Sequence, residues 1–264
     1  MQVYGTLRVL TARPSPLEEA KAPHVLYGHV DPATAYSTGA WLRDVAAVIA
    51  SGHGRPLIFV GGTGLYFEAL TRGLSLMPDI PPAIRDRWRQ RLAAEGAPHL
   101  HAVLRERDAE VAARLRVQDG QRIVRALEVL EASGRSILHW QEERAAPLVD
   151  ADAAQRFVLA PPRPELSRNI AARLTSMLDQ GAIEEVHALR AAGIDSQSPA
   201  MKAIGVPELG AWLDGAMSRD EAAEATIAAT RRYAKRQETW MRNRFDEGWE
   251  RLESAARIAG KLGV

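Results

Sequence analysis

A chain of 264 residues with 46% hydrophobic residues carries enough apolar surface to bury a full core, as one large domain or as a core with a smaller insertion. The absence of cysteine excludes disulfides and cysteine-based zinc sites, and the seven histidines include no metal-ligand pair at helical spacing. A net charge of +1 leaves any anionic partner to a local basic patch; apolar runs far short of roughly 20 residues, with no apolar signal region, predict a soluble, cytoplasmic protein without a membrane span.

The chain opens on Met1-Gln2-Val3-Tyr4 and contains no G-x-x-x-x-G-K-[ST] phosphate loop. Prolines and sparse apolar periodicity make Thr11 to Pro32 a loop-rich segment, in which His24 and His29 read first as surface or packing residues and second as substrate contacts. Ser37 is placed to cap a helix through about Ala50, with Trp41, Val45, Ala46 and Ile49 on one face. Next comes Pro56-Leu-Ile-Phe-Val60-Gly61-Gly62-Thr63-Gly64-Leu65-Tyr66, with apolar positions continuing through Leu70 and Leu74. The pattern predicts strand, tight turn and helix, one βα unit of an α/β sheet. Gly61 and Gly62 allow backbone N–H groups to approach a phosphate or other anion at the positive end of the helix, and Thr63 offers a hydroxyl at the sheet's carboxyl edge. The same glycines also suit a sharp turn with close helix packing, and both readings stay open.

From about residue 76 the prolines Pro78, Pro81 and Pro82 break the chain, and short Arg-rich helices are predicted over Ala83 to Ala94, His99 to Arg107 and Asp108 to Leu115. Arg85, Arg87, Arg89 and Arg91 spread around such a helix; they serve either a solvated face paired with Asp86 and Glu95 or contact with RNA. Asp119 caps a helix reading Gly120-Gln121-Arg122-Ile123-Val124-Arg125-Ala126-Leu127-Glu128-Val129, whose Ile123, Leu127 and Leu130 face the core. Cations near a helix N-terminus oppose its dipole, so Arg122 and Arg125 hint at a bound anion or a nearby carboxylate. Residues 156–161 read as a further core strand, helices follow from Arg163, and Ser218 to Glu221 form a capping box opening a helix to about Phe245. Arg232, Lys235, Arg236 and Trp240 fall near one face of it, a basic stripe beside an aromatic ring that suits a phosphate backbone or a diphosphate, or else a solvated helix face. The predicted organisation is an α/β core over 1–75, a helical insertion over 76–140, and core completion with C-terminal helices over 141–264.

Val60-Gly-Gly-Thr-Gly-Leu-Tyr66, Asp119-Gly-Gln-Arg-Ile-Val-Arg-Ala-Leu-Glu-Val129 and Arg232-Tyr-Ala-Lys-Arg-Gln-Glu-Thr-Trp240 together resemble bacterial tRNA dimethylallyltransferases, over nearly the whole chain from Gln2 to about Trp240. The chain departs from that family at Asn169, where an arginine is usual, and at Val206 and Pro207. The resemblance implies a P-loop-like parallel sheet flanked by helices, with a helical insertion. It also implies a nucleotide- and ATP-binding type of core, whose first strand and phosphate loop, magnesium-holding hydroxyl and aspartate base would precede Met1. A chain lacking them is expected to expose a sheet edge and fold poorly.

By the same resemblance the N6 amine of a flipped-out adenine beside the tRNA anticodon attacks dimethylallyl diphosphate, and pyrophosphate leaves with magnesium support. The roles implied are Thr63 and Arg173 in catalysis and Gly61 and Gly62 at the diphosphate. Gln2, Thr63, Arg85, Gln121, Arg122, Ile123, Val124, Arg125, Arg232 and Arg236 are implied on the tRNA anticodon arm. No protein metal ligand is assigned, a monomer is expected, and the alternative is a catalytically impaired tRNA-binding fragment.

Overall fold

Polar side chains set where the helices begin. Ser37 accepts from the Ala40 N–H at 3.1 Å and starts α2 (Thr38–Ala50), after a single turn, α1 (Pro16–Glu19). Asp108 and Asp119 do the same for α5 (Ala109–Arg114) and α6 (Gly120–Ser133), accepting from Val111 and Arg122. Between α2 and α5 lie α3 (Gly64–Arg72) and α4 (Pro82–Arg107). Gly96, at φ 80°, breaks α4 two residues before Pro98, so it is two helical stretches, as its periodicity predicts. After α7 (Ile137–Glu142) and β1 (Phe157–Leu159) come α8 (Arg163–Asp179), α9 (Ala182–Ala191) and α10 (Val206–Leu213). Pro207 sits in the first turn of α10, where its missing N–H costs nothing. The Ser218–Glu221 capping box then opens α11 (Arg219–Arg244), followed by β2 (Glu250–Leu252) and α12 (Ala255–Leu262).

The structure, a computed structural model, describes residues 1–262 apart from His53 and Arg55. It divides into two compact units: Met1–Phe67 together with Asp152–Val264, and Glu68–Ala151. The expected insertion, 76–140, lies within the second.

In the first unit, α8, α9, α10 and α11 pack around a core of Tyr4, Leu7, Val30, Val186, Leu189 and Leu209. The chain start is woven into it: Tyr4 bridges Val30 in parallel, and Gly5 N–H donates to the Val30 carbonyl at 3.0 Å. Glu185 on α9 then accepts from three successive backbone N–H groups, those of Arg8, Val9 and Leu10, at 2.8, 2.6 and 3.0 Å. β1 and β2 are parallel, pairing Phe157 with Glu250 and Leu159 with Leu252.

The expected central strand is corrected. Among the described residues Pro56–Val60 joins no ladder, and Ile58 and Val60 are 68% and 74% exposed. A strand exists only by pairing, so β-branched composition alone does not make one. The described sheet is two strands of three residues in a helix-rich fold.

In the second unit α4, α5 and α6 enclose Trp88, Leu100, Leu104, Ile123 and Leu127. The Trp88 indole N–H donates to Glu131 at 2.9 Å, and the guanidiniums of Arg91 and Arg107 lie over its ring at 4.9 and 5.8 Å. A short antiparallel bridge, Ser75 with Arg144, draws the two ends of this unit's chain together.

Candidate functional site

The Gly61–Gly64 turn sits against α11, as the packing reading of its glycines expects. Thr63 is exposed at the mouth of α3, its carbonyl accepting from Tyr66 N–H at 2.9 Å. Behind it, α11 presses against the turn. Gln237 Nε2 donates to the Gly62 carbonyl at 2.8 Å, and a Cβ at Gly62 would fall inside that carboxamide. A Cβ at Gly64 would fall inside the indole of Trp240. Gly64 is therefore needed for the close approach of the Trp240 ring, whereas a Cβ at Gly62 would displace the flexible Gln237 carboxamide from its carbonyl. Trp240 is wedged in turn: its ring meets Phe245 edge-on at 5.4 Å, and Phe245 stacks flat on Trp249 at 3.9 Å. On the other side Tyr66 stacks on Trp41 at 4.5 Å.

Gln237 and Trp240 were not identified from the sequence as residues of this turn. Their three-residue spacing on one face of α11 is visible there, but their contact with Gly62 and Gly64 is not.

The face of α11 beside this contact is cationic. Arg231, Arg232, Lys235 and Arg236 are all exposed and have no ion pair among the described residues, although Arg236 lies over the Tyr233 ring at 5.6 Å. The acid on this stretch, Glu238, is taken by Arg163 of α8 at 3.0 Å, which leaves the stripe uncompensated. Arg173 is exposed on α8 without an ion pair or a hydrogen bond to the turn among the described residues. The carboxamide of Gln2 donates to the Ala12 carbonyl at 3.0 Å.

In the second unit the helix start at Asp119 presents Gln121 and Arg122 to solvent. Arg122 lies 3.3 Å from Asp119, and Arg125 lies 3.5 Å from Glu128, which is 5% exposed. Arg125 thus has a structural duty, compensating a buried carboxylate. Ile123 and Val124, expected on tRNA, have side chains buried in the core with Leu127, so the exposed side chains of this motif's start are Gln121 and Arg122. On α4, Arg87 pairs with Glu131 and Arg91 with Glu95, whereas Arg85 is exposed with no acidic partner among the described residues.

His24 contacts the Ala22 carbonyl locally, and His29 meets Asp44 at 3.1 Å together with the hydroxyl of Tyr36. Among the described residues no three acidic or histidine side chains gather to hold a metal ion, and no helix is long and apolar enough to cross a membrane.

Comparison with known proteins places the chain in a family. The chain is 56% identical over 253 residues to a tRNA dimethylallyltransferase of Mesorhizobium japonicum, spanning 96% of this chain and 79% of that protein. It is 54% identical over 255 residues to one of Rhizobium meliloti, spanning 96% and 84%. Its fold is similar to the crystal structure of the full-length tRNA isopentenylpyrophosphate transferase of Bacillus halodurans, with a TM-score of 0.66 and 27% identity over 99% of this chain and 82% of that one. The family model described as IPP transferase matches residues 2–244, and the chain belongs to that family.

Proposed function

We propose that this chain transfers a dimethylallyl group from dimethylallyl diphosphate to N6 of the adenosine on the 3′ side of a tRNA anticodon. The observation that carries the reading on this chain's own residues is the uncompensated cationic face of α11 beside the Gly61–Gly64 turn. Exposed guanidiniums with no carboxylate partner gain most from meeting phosphate, and Arg232 and Arg236 are assigned to tRNA phosphate or the diphosphate. Arg85, Gln121, Arg122 and Arg125 are assigned to the anticodon arm, which must be held while the target base leaves its stack.

In the transfer, a bond forms between N6 and the allylic carbon, the carbon–oxygen bond to diphosphate breaks, and one N6 proton is released. Thr63 brings a hydroxyl that can donate to or accept from either substrate, and Arg173 a cation suited to the departing pyrophosphate. Magnesium is the ion of this reaction class; the described residues form no side-chain cage for it, and no step is assigned to it. A monomer acting in the cytoplasm on tRNA completes the proposal.

A filter-binding titration of an anticodon stem-loop, paired with transfer from labelled dimethylallyl diphosphate, tests it. R232A/R236A is expected to weaken binding about tenfold or more at 0.1 M salt and to lower the slope of log affinity against log salt by roughly 1.5, as two lost phosphate contacts require. T63V is expected to keep the affinity and lose transfer. A double variant with wild-type affinity and wild-type salt slope, or absence of transfer by the wild-type chain with magnesium present, overturns the corresponding half of the proposal.

A further inference from the structure

We infer that Gln237 is a positioning residue for the transfer step, holding the Gly62–Thr63 peptide so that Thr63 faces the reactants; this rests on the transfer reading above. The carboxamide of Gln237 donates to the Gly62 carbonyl at 2.8 Å across 175 residues of chain. A peptide unit is planar and, among the described residues, trans, so its carbonyl and N–H point in opposite directions. Turning the Gly62 carbonyl toward α11 therefore turns the Thr63 N–H away from it. Glycine gives this peptide little stiffness of its own, and without the carboxamide its plane is free to rotate.

The surroundings of Gln237 are built to be stiff. One turn further along the same face, Trp240 fills the space that Gly64 leaves open and is braced by Phe245 on Trp249. The Thr63 side chain, by contrast, is exposed and makes no hydrogen bond of its own among the described residues. A rigid backing with a free hydroxyl in front is the arrangement expected of a residue aimed at something outside the chain. Immediately before Gln237 on the same helix is Arg236, so a phosphate seated on the cationic face and the orientation of Thr63 share one rigid element.

Two variants separate positioning from mere packing. Q237M keeps the length and bulk but can neither donate nor accept; Q237E keeps the shape, and only its protonated form can donate to the Gly62 carbonyl. In single-turnover transfer at pH 7.5 both are expected to lose about tenfold or more in rate, the scale set by small misplacements of a reacting group, while stem-loop affinity stays within about twofold. As the pH is lowered to about 4.5, close to the ordinary glutamate value, Q237E relative to wild type recovers and Q237M does not.

Wild-type rates in Q237M, equal losses of affinity and rate, or parallel pH profiles of the two variants would each falsify the inference. If the wild-type chain shows no transfer, the functional reading fails, and the positioning claim is decided by amide hydrogen exchange. A peptide covering 61–66 exchanging about tenfold faster in Q237M, with 222–232 unchanged, sustains it; equal exchange removes it.

Discussion

Asp44 shows how much one exposed carboxylate can be steered by its neighbours. The Tyr36 hydroxyl donates to it, and this, with the ring of His29, holds its pKa below the usual carboxylate range. Tyr36 is pushed in the opposite direction, first by burial and then by that same bond, so its hydroxyl stays protonated well above the ordinary tyrosine range. A carboxyl whose folded pKa is depressed contributes stability that is complete above its unfolded value near 4 and is lost as the pH falls through the folded one. A raised tyrosine contributes below about pH 10 and loses its part as the pH rises through the folded value. D44N should therefore melt below wild type at pH 7, and the gap should shrink progressively as the pH is lowered below about 4, read by circular dichroism. A gap that persists unchanged at pH 3 would show that the bond to ionised Asp44 contributes nothing.

At the scale of elements, α9 does more than cover the core, because its Glu185 terminates the turn at Arg8, Val9 and Leu10. E185A leaves three N–H groups without their acceptor and is expected to cost about 3 kcal/mol. For a chain of this size that is a melting point lower by roughly 6–10 °C, with E185Q intermediate. A shift below about 2 °C would mean that water replaces the carboxylate without penalty.

Helix starts were the most legible part of the sequence. Ser37, Asp119 and the Ser218–Glu221 box announce α2, α6 and α11 through bonds that lie within three residues, and the structure holds each of them. Features settled by distant partners were not legible. The run Pro56–Val60 has strand composition, but a ladder depends on another segment, and none pairs with it among the described residues. In the candidate site, the cationic face of α11 could be read from spacing alone. The duty of Arg125 toward buried Glu128, and the closeness of Gln237 to Gly62, could not.

For the whole molecule, a run of exposed apolar side chains among the described residues is Leu57, Ile58 and Val60. An exposed run of β-branched side chains that joins no ladder among the described residues invites pairing between molecules. I58T/V60K should lower light scattering of concentrated wild-type solutions without altering the melting temperature by more than about 2 °C. Unchanged scattering would place the tendency to associate elsewhere.

The Gln237 bond to Gly62 also has a meaning in time. The second unit is one continuous stretch, Glu68–Ala151, and a ribosome can finish it before the last third of the chain exists. The glycine turn is older in synthesis than all of it, yet its brace is made 175 residues later, a delay of roughly 10–35 s at ordinary elongation rates. A nascent chain can thus display Gln121 and Arg122 while Thr63 is still unaimed, and the turn acquires its orientation only once α11 has emerged.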